Sequence, residues 1–286
     1  MGRPFGATWG YVANGLTAAG APGTLLAVAW SPSRGHTLLA LNATSGAVRG
    51  NWTLPFADCV GTIGCGQTLA YDARGARAVV SGFLSGGGRA LGVVAIDGAG
   101  AGFVAIANLT AITPALPGAA LGAVAPPGAA GGAARGILYV DAGADGAGAV
   151  IISVDLATGA ARAAPTRARL VSLAWDGAAG AAVGIGAAAA GEGFALVAVD
   201  AATGDAAERG PLAGVPAAIT FDASIGSALD AAAGVLWWES AGVGAGAGVA
   251  LVATRVADAA TVGSAPMGCF DAGDACPWIL AFVELL

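Results

Sequence analysis

The sequence contains no lysine, a single histidine (His36), four cysteines and four asparagines in 286 residues, and only 10% of its residues are charged. Each scarcity removes a class of function. With one histidine, a multi-histidine metal centre is excluded. A Ser-His-Asp or Cys-His site would have to use His36, which follows the Ser-Pro-Ser-Arg-Gly turn and reads as a solvated turn residue. All 12 basic residues are arginine, scattered through a chain of net charge −6. Without a positive stripe to neutralise phosphates, nucleic acid is not an expected partner. So few charges also argue against a long self-repelling disordered segment.

Long apolar runs are scarce too, although mean hydropathy is +0.75. The two most apolar stretches, 181–199 and 241–253, are built from Gly and Ala rather than Leu. Glu192 interrupts the first, and the second is too short to cross about 30 Å of hydrocarbon. A membrane span is not expected. Residues 1–23 hold Pro4, Gly10, Asn14 and Gly15 where a leader would need an unbroken apolar core, and they do not read as a signal peptide.

What the chain does have is a repeat. Five segments share an apolar run, an Asp or its substitute, a short turn often containing Thr-Gly, and a second strand. They are LLALNATSGAVR from Leu38, GVVAIDGAGAGFV from Gly92, IISVDLATGAAR from Ile151, LVAVDAATGDAA from Leu196 and LVATRVADAATV from Leu251. Their turn-opening residues, Asn42, Asp97, Asp155, Asp200 and Arg255, are spaced by 55, 58, 45 and 55 residues. Such regularity marks stacked supersecondary units. Between them lies a second pattern, an apolar strand closing on an aromatic–Asp pair with Gly shortly after. LAYDARG, LAWDGAAG and ITFDASIG carry it, with AVAWSPSRG as a possible variant. Asp bonds backbone N–H groups two residues on and Gly takes the positive-φ position, which together make a hairpin turn.

One repeat therefore reads as four antiparallel strands, the size of a propeller blade. The expected fold is all-β, a β-propeller of about five four-stranded blades in one domain. Complete repeats fall at 68–112, 119–167, 169–212 and 216–267. A shared closing blade is expected from 20–56 plus 277–286, pairing the C-terminal run WILAFVEL with the N-terminal strands. Ala is a poor strand former, so an Ala/Gly-rich β-solenoid is the rival fold.

The segment LLALNATSGAVRGNW resembles the Leu-x-Ala-Leu-Asp-x-x-Thr-Gly-x-x-x-Trp repeat of quinoprotein-like propellers, and the aromatic–Asp turns are similar to those of YVTN-type propellers. The resemblance covers most of the chain and implies architecture alone, because such folds serve many functions.

The cysteines form two local pairs, Cys59 with Cys65 and Cys269 with Cys276, each just ahead of a first strand. Two disulfide-closed loops are the favoured reading. A zinc site made by all four is the alternative, against which stand gaps of five and six residues where structural ligands sit two to four apart. Free buried thiols are the third reading. Three of the four asparagines open N-x-[ST] sequons, Asn42, Asn51 and Asn108. Paired cysteines and sequons together lead us to expect a protein of the secretory lumen or cell exterior, with its targeting segment absent from this chain. Asn42 has a second explanation, because it also opens a repeat turn.

Carboxylates offer the remaining chemistry. Asp72, Asp176 and Asp222 recur at one repeat position, weak candidates for a calcium or channel site, with turn-making as the plainer role. Glu192, Trp238 and Glu239 stand on or beside long inter-strand loops and are the candidate binding residues. No catalytic set is assigned and no cofactor is required, calcium being the one conceivable. The sequence favours a non-catalytic scaffold for a protein or glycan. The alternative is a propeller enzyme with a carboxylate-lined, calcium- or quinone-dependent channel site.

Overall fold

A computed structural model describes residues 11–18, 23–31, 33–42, 44–45, 47–57, 68–96, 102–112, 120–126, 133–141, 149–166, 168–187, 193–212, 219–220, 227–230, 233–242 and 249–267. These form five antiparallel sheets and no helix. The first sheet holds β1 (Tyr11–Ala18), β2 (Thr24–Ser31), β3 (Gly35–Asn42) and β4 (Val48–Thr53). The second holds β5 (Thr68–Asp72), β6 (Arg77–Phe83), β7 (Arg89–Ala95) and β8 (Val104–Asn108). The third holds β9 (Ala120–Ala125), β10 (Arg135–Asp141), β11 (Ala149–Asp155) and β12 (Ala161–Thr166). The fourth holds β13 (Ala174–Asp176), β14 (Ala181–Ala187), β15 (Phe194–Val199) and β16 (Ala206–Pro211). The fifth holds β17 (Ile219–Thr220), β18 (Ser227–Asp230), β19 (Val235–Gly242), β20 (Val249–Arg255) and β21 (Thr261–Met267), with β17 and β18 both pairing β19 as two pieces of one first strand.

Each sheet is a simple meander, and consecutive first strands lie side by side: β1 by β5, β5 by β9, β9 by β13, β13 by β18. The protein is a five-bladed β-propeller. Burial explains why the sequence signal lay in continuous apolar runs rather than alternation. Second and third strands are covered on both faces by neighbouring blades, so β3 and β7 are buried along nearly their whole length. Fourth strands are edges; β4, β12 and β16 are largely exposed or half-exposed.

The core is divided among blade junctions. Leu26, Leu38, Phe56 and Val80 fill the first, and Val79, Leu91, Leu138 and Ile152 the second. Ile137, Tyr139, Val197 and Val199 fill the third, and Ile185, Phe194, Trp238 and Val252 the fourth. A further cluster, Ala27, Ala29, Leu39 and Leu41, is buried on the face of blade one turned away from blade two, the side where the ring closes. Small residues let the blades approach. A Cβ on Gly82 would meet the Phe56 ring at 2.8 Å, so the ring lies flat on β6 only because that side chain is absent.

Three expectations are corrected here. The innermost place of the first sheet, expected for the run 277–286, is taken by β1. Asn14 and Gly15 lie within this strand: the β1–β2 register shifts between Ala13 and Leu16, and a bulge absorbs them. The C-terminal run itself lies outside the described residues. AVAWSPSRG does not end a first strand: Gly35, at φ 64°, closes the β2–β3 hairpin instead. The third correction concerns Asp222. It lies outside the described residues, and the turn homologous to those of Asp72 and Asp176 belongs to Asp230, followed by Gly234 at φ 63°. Two Asp-to-Gly spacings occur within eight residues of each other in that repeat, and only the second precedes the long apolar strand.

Candidate functional site

A meander places the first-to-second and third-to-fourth connections of every blade at one end and the remaining connections at the other. Both acidic turn families therefore emerge on one face. Their carboxylates are engaged in building the turns. Asp72 accepts from Gly75 N–H at 3.1 Å through Oδ1 and from Arg77 Nε at 2.9 Å through Oδ2. Asp176 accepts from Ala178 and Ala179 N–H at 2.9 and 3.1 Å, and Asp230 from Ala233 N–H at 3.0 Å. Among the described residues no group of three His, Cys, Asp or Glu side chains could hold a metal ion.

The third-to-fourth turns repeat one set of bonds. Asp155 Oδ1 accepts from Ala157 and Thr158 N–H, both at 2.9 Å, and Thr158 Oγ1 accepts from Ala160 N–H. Asp200 does the same with Ala202, Thr203 and Asp205. Asn42 reproduces it with Thr44 and Ser45, showing that the amide oxygen suffices. In the fifth blade Arg255 opens the turn, and its guanidinium donates to Asp258 at 2.7 Å. The left-handed position there belongs to Ala259, at φ 57°. The backbone N–H groups of Thr158, Thr203 and Ala260 hold the carboxyls of Asp155, Asp200 and Asp258 below the usual range.

These turns lean on the preceding blade. Ser153 Oγ donates to the carbonyl of Ala201, and Arg135 Nη1 donates to Ser153 Oγ at 3.3 Å. Arg135 also lowers both Asp155 and Asp200 through its charge, so it serves two adjacent turns at once. Nothing in the sequence marked it, since it follows a Gly/Ala-rich stretch with no turn motif.

The opposite face receives the long Gly- and Ala-rich connections. The strand ends from which 142–148 and 243–248 depart lie here, as does the Leu84–Gly88 turn. Glu239 sits on β19 opposite Leu251, three residues before that strand ends. Nothing is described of its side chain. Glu192 and all four cysteines, Cys59, Cys65, Cys269 and Cys276, lie outside the described residues. Trp238 is corrected: it is fully buried, its Nε1 donates to Thr254 Oγ1 at 3.0 Å, and its ring packs 5.3 Å from Phe194. Its neighbour Trp237 is half-buried. Adjacent residues on a strand point to opposite faces, and both faces of β19 meet protein.

His36 is also corrected. It is fully buried rather than solvated, edge-on to Phe56 at 6.4 Å, because β3 is an interior strand from its second residue. Arg89 is the other buried group that sequence reasoning missed. Its guanidinium stacks on the Phe83 ring at 4.7 Å, and burial lowers its pKa to about 10. Three glycines precede Arg89, which opens β7. Of the sequon asparagines, Asn51 and Asn108 are exposed on the fourth strands β4 and β8, while Asn42 is half-buried at the end of β3.

No protein-family model matches the sequence, and no curated protein is similar to it in sequence. Solved structures are similar in fold. TolB from Acinetobacter baumannii superposes with a TM-score of 0.54 at 11% identity, over 85% of this chain and 51% of that one. A protein of unknown function from Bacteroides thetaiotaomicron gives 0.57 at 13% identity, over 97% of this chain and 65% of that one. A Hadza microbial sialidase gives 0.54 at 14% identity, over 94% and 60%. The chain thus spans about half the length of the TolB it matches. At such identities the likeness concerns the propeller alone. Among the described residues no helix is long and apolar enough to cross a membrane.

Proposed function

We propose that this propeller is a non-catalytic scaffold of the secretory lumen or cell exterior that binds a protein or glycan partner on its loop face. The observation that carries this reading is the use of the recurrent aspartates. Asp72, Asp176, Asp155 and Asp200 each commit Oδ1 to turn N–H groups, and Asp72 Oδ2 takes the Arg77 guanidinium, which supports a structural role for the repeat's acids. Variation among blades is concentrated instead in the opposite-face connections, where binding residues of a rigid scaffold ordinarily sit. Glu192 and Glu239 remain the candidate contacts, and Trp238 is withdrawn from that role. The secretory part of the reading rests on the paired cysteines and the sequons.

The enzyme alternative retains one support, since a sialidase is among the proteins of similar fold. Thermal unfolding in EDTA and in millimolar calcium separates the two. A site of about 10 μM affinity would gain roughly 2.7 kcal/mol at hundredfold excess, a shift of several degrees in a chain of this size. We expect no shift, and a clear one would move the enzyme reading ahead. For binding, the labelled full chain is applied to a glycan array and to extracellular matrix protein. E192A and E239A should weaken any signal, and R74A on the turn face should not. The reverse pattern would refute the face assignment.

A further inference from the structure

We infer that Asn51 and Asn108 are N-glycan acceptors whose glycans shield the open sheet edges of the first two blades; this rests on the secretory part of the reading above. Each fourth strand ends its sheet and presents an unpaired row of backbone groups, a template for pairing with another chain. Edges are ordinarily guarded by charge or proline. The third and fourth blades follow that rule. β12 carries exposed Arg162 and Pro165, and β16 carries exposed Glu208, Arg209 and Pro211. β21 of the fifth carries Pro266.

β21 has no charge beside that proline and leaves Val262 45% exposed, and the first two blades are guarded as thinly or not at all. β8, Val-Ala-Ile-Ala-Asn, has neither charge nor proline, and Val104 on it is 54% exposed. β4 has Arg49 alone, with Val48 beside it 46% exposed. These two strands, and no other fourth strand, carry sequons. In both, Asn and Thr face solvent while the middle residue turns inward: Trp52 is half-buried and Leu109 fully buried. The acceptor amide and its hydroxyl partner are thus both exposed, in β4 as alternation along a strand requires and past the end of β8 with Leu109 turned into the core. Asn42 differs in burial: it is half-buried with its amide oxygen held by two backbone N–H groups, where Asn108 is exposed and held by one, from Thr110 at 2.9 Å, and Asn42 is left out of the assignment.

The test uses the full chain secreted from eukaryotic cells behind an added leader, so that acceptor competence is read apart from natural targeting. N51Q and N108Q should each remove one glycosidase-sensitive mobility step, and T53A and T110A should do the same with the amide kept. No such step on the folded, secreted chain would overturn the inference, and a step removed only by N42Q would overturn the restriction to edge strands. For shielding, N51Q/N108Q should lose most of its monomer peak on size exclusion while N51K/N108K keeps it. A glutamine pair as monomeric as the glycosylated chain would refute the shielding role. Natural protein found unmodified beside a modified leader-driven chain would instead sink the secretory reading.

Discussion

Three glycines with nearly the same backbone conformation separate the cost of a left-handed residue from the cost of disturbing a blade junction. Gly180, Gly204 and Gly159 have φ of 64°, 80° and 74°. A Cβ on Gly180 would meet nothing within 4 Å. On Gly204 it would lie 3.1 Å from Ala164 Cβ and 3.2 Å from the Ile151 carbonyl, both on the preceding blade. On Gly159 it would lie 2.2 Å from the carbonyl oxygen of Ile106, again on the preceding blade. Alanine in a left-handed conformation costs about 1–2 kcal/mol, partly offset by about 0.4–1 kcal/mol from a stiffer unfolded chain. Gly180→Ala should therefore lose about 1 kcal/mol. Gly204→Ala adds a displacement of a few tenths of an ångström and should lose about 2 kcal/mol, in the range of mild overpacking.

Gly159→Ala cannot be accommodated by a side-chain adjustment, because the obstacle is backbone in a paired strand. The turn must lift by more than an ångström, opening the junction where Leu156, Leu138 and Leu91 pack. A loss of about 3–5 kcal/mol follows, the size expected when a core contact is broken. At about 2 °C per kcal/mol for a chain this long, the three variants should melt about 2, 4 and 6–10 °C below the parent. The assay is urea unfolding followed by tryptophan fluorescence and far-ultraviolet circular dichroism, with the slope compared across variants. Equal losses for Gly159→Ala and Gly180→Ala would refute the claim that the Thr-Gly turn is a stacking device.

Further outcomes follow from the same contacts. Trp238→Ala should cost about 3–5 kcal/mol as a large core deletion, and Thr254→Val should cost about 1–3 kcal/mol by stranding the indole N–H, both read as denaturant midpoints. A wild-type-like midpoint for Trp238→Ala would show that the ring is not core. Asp155 and Asp200 have folded pKa values lowered from 3.8, so their stabilisation is full above that value and is lost as pH falls through the lower folded value. Asp155→Asn and Asp200→Asn should be close to neutral at pH 7, since Asn42 makes the same turn, yet should flatten the loss of stability below about pH 4 measured by acid titration. An unchanged acid limb would count against them. Arg135→Ala should destabilise at pH 7 by more than Arg74→Ala, an exposed arginine of the Asp72 turn, because only Arg135 bonds Ser153 at a blade junction. Equal melting temperatures would sink that distinction.

Much of the fold was legible because its strongest constraints are periodic. The turns at Asn42, Asp155, Asp200 and Arg255 recur at near-blade spacing, and the doubly covered strands before them read as apolar runs. The errors came where one local signal had two meanings. Asp222 and Asp230 both open an Asp-to-Gly spacing, and only tertiary pairing selects the second. Trp238 could not be placed from sequence, because a strand gives its two aromatic neighbours opposite faces without saying that both are covered. His36 misled because a residue directly after a turn suggests solvent, whereas hairpins this tight bring a strand interior within one or two residues of the turn.

The turn chemistry also explains why the repeat was silent about function. Asp, Thr and Gly occur together at these positions because one side chain caps two N–H groups, the next caps a third, and glycine allows the turn to lie on the neighbouring blade. Any propeller that stacks blades this way can use the same three residues, whatever it binds. The fifth blade shows that other residues serve as well. With Arg255, Asp258 and Ala259 in place of Asp, Thr and Gly, it keeps the capping bond to Ala260 and the positive φ, and Ala259 is buried among Phe194, Leu196 and Val256. There the Cβ that would collide at Gly159 fills the junction instead. The residue type follows from the space the junction leaves, which is why the motif identifies the architecture and not the function.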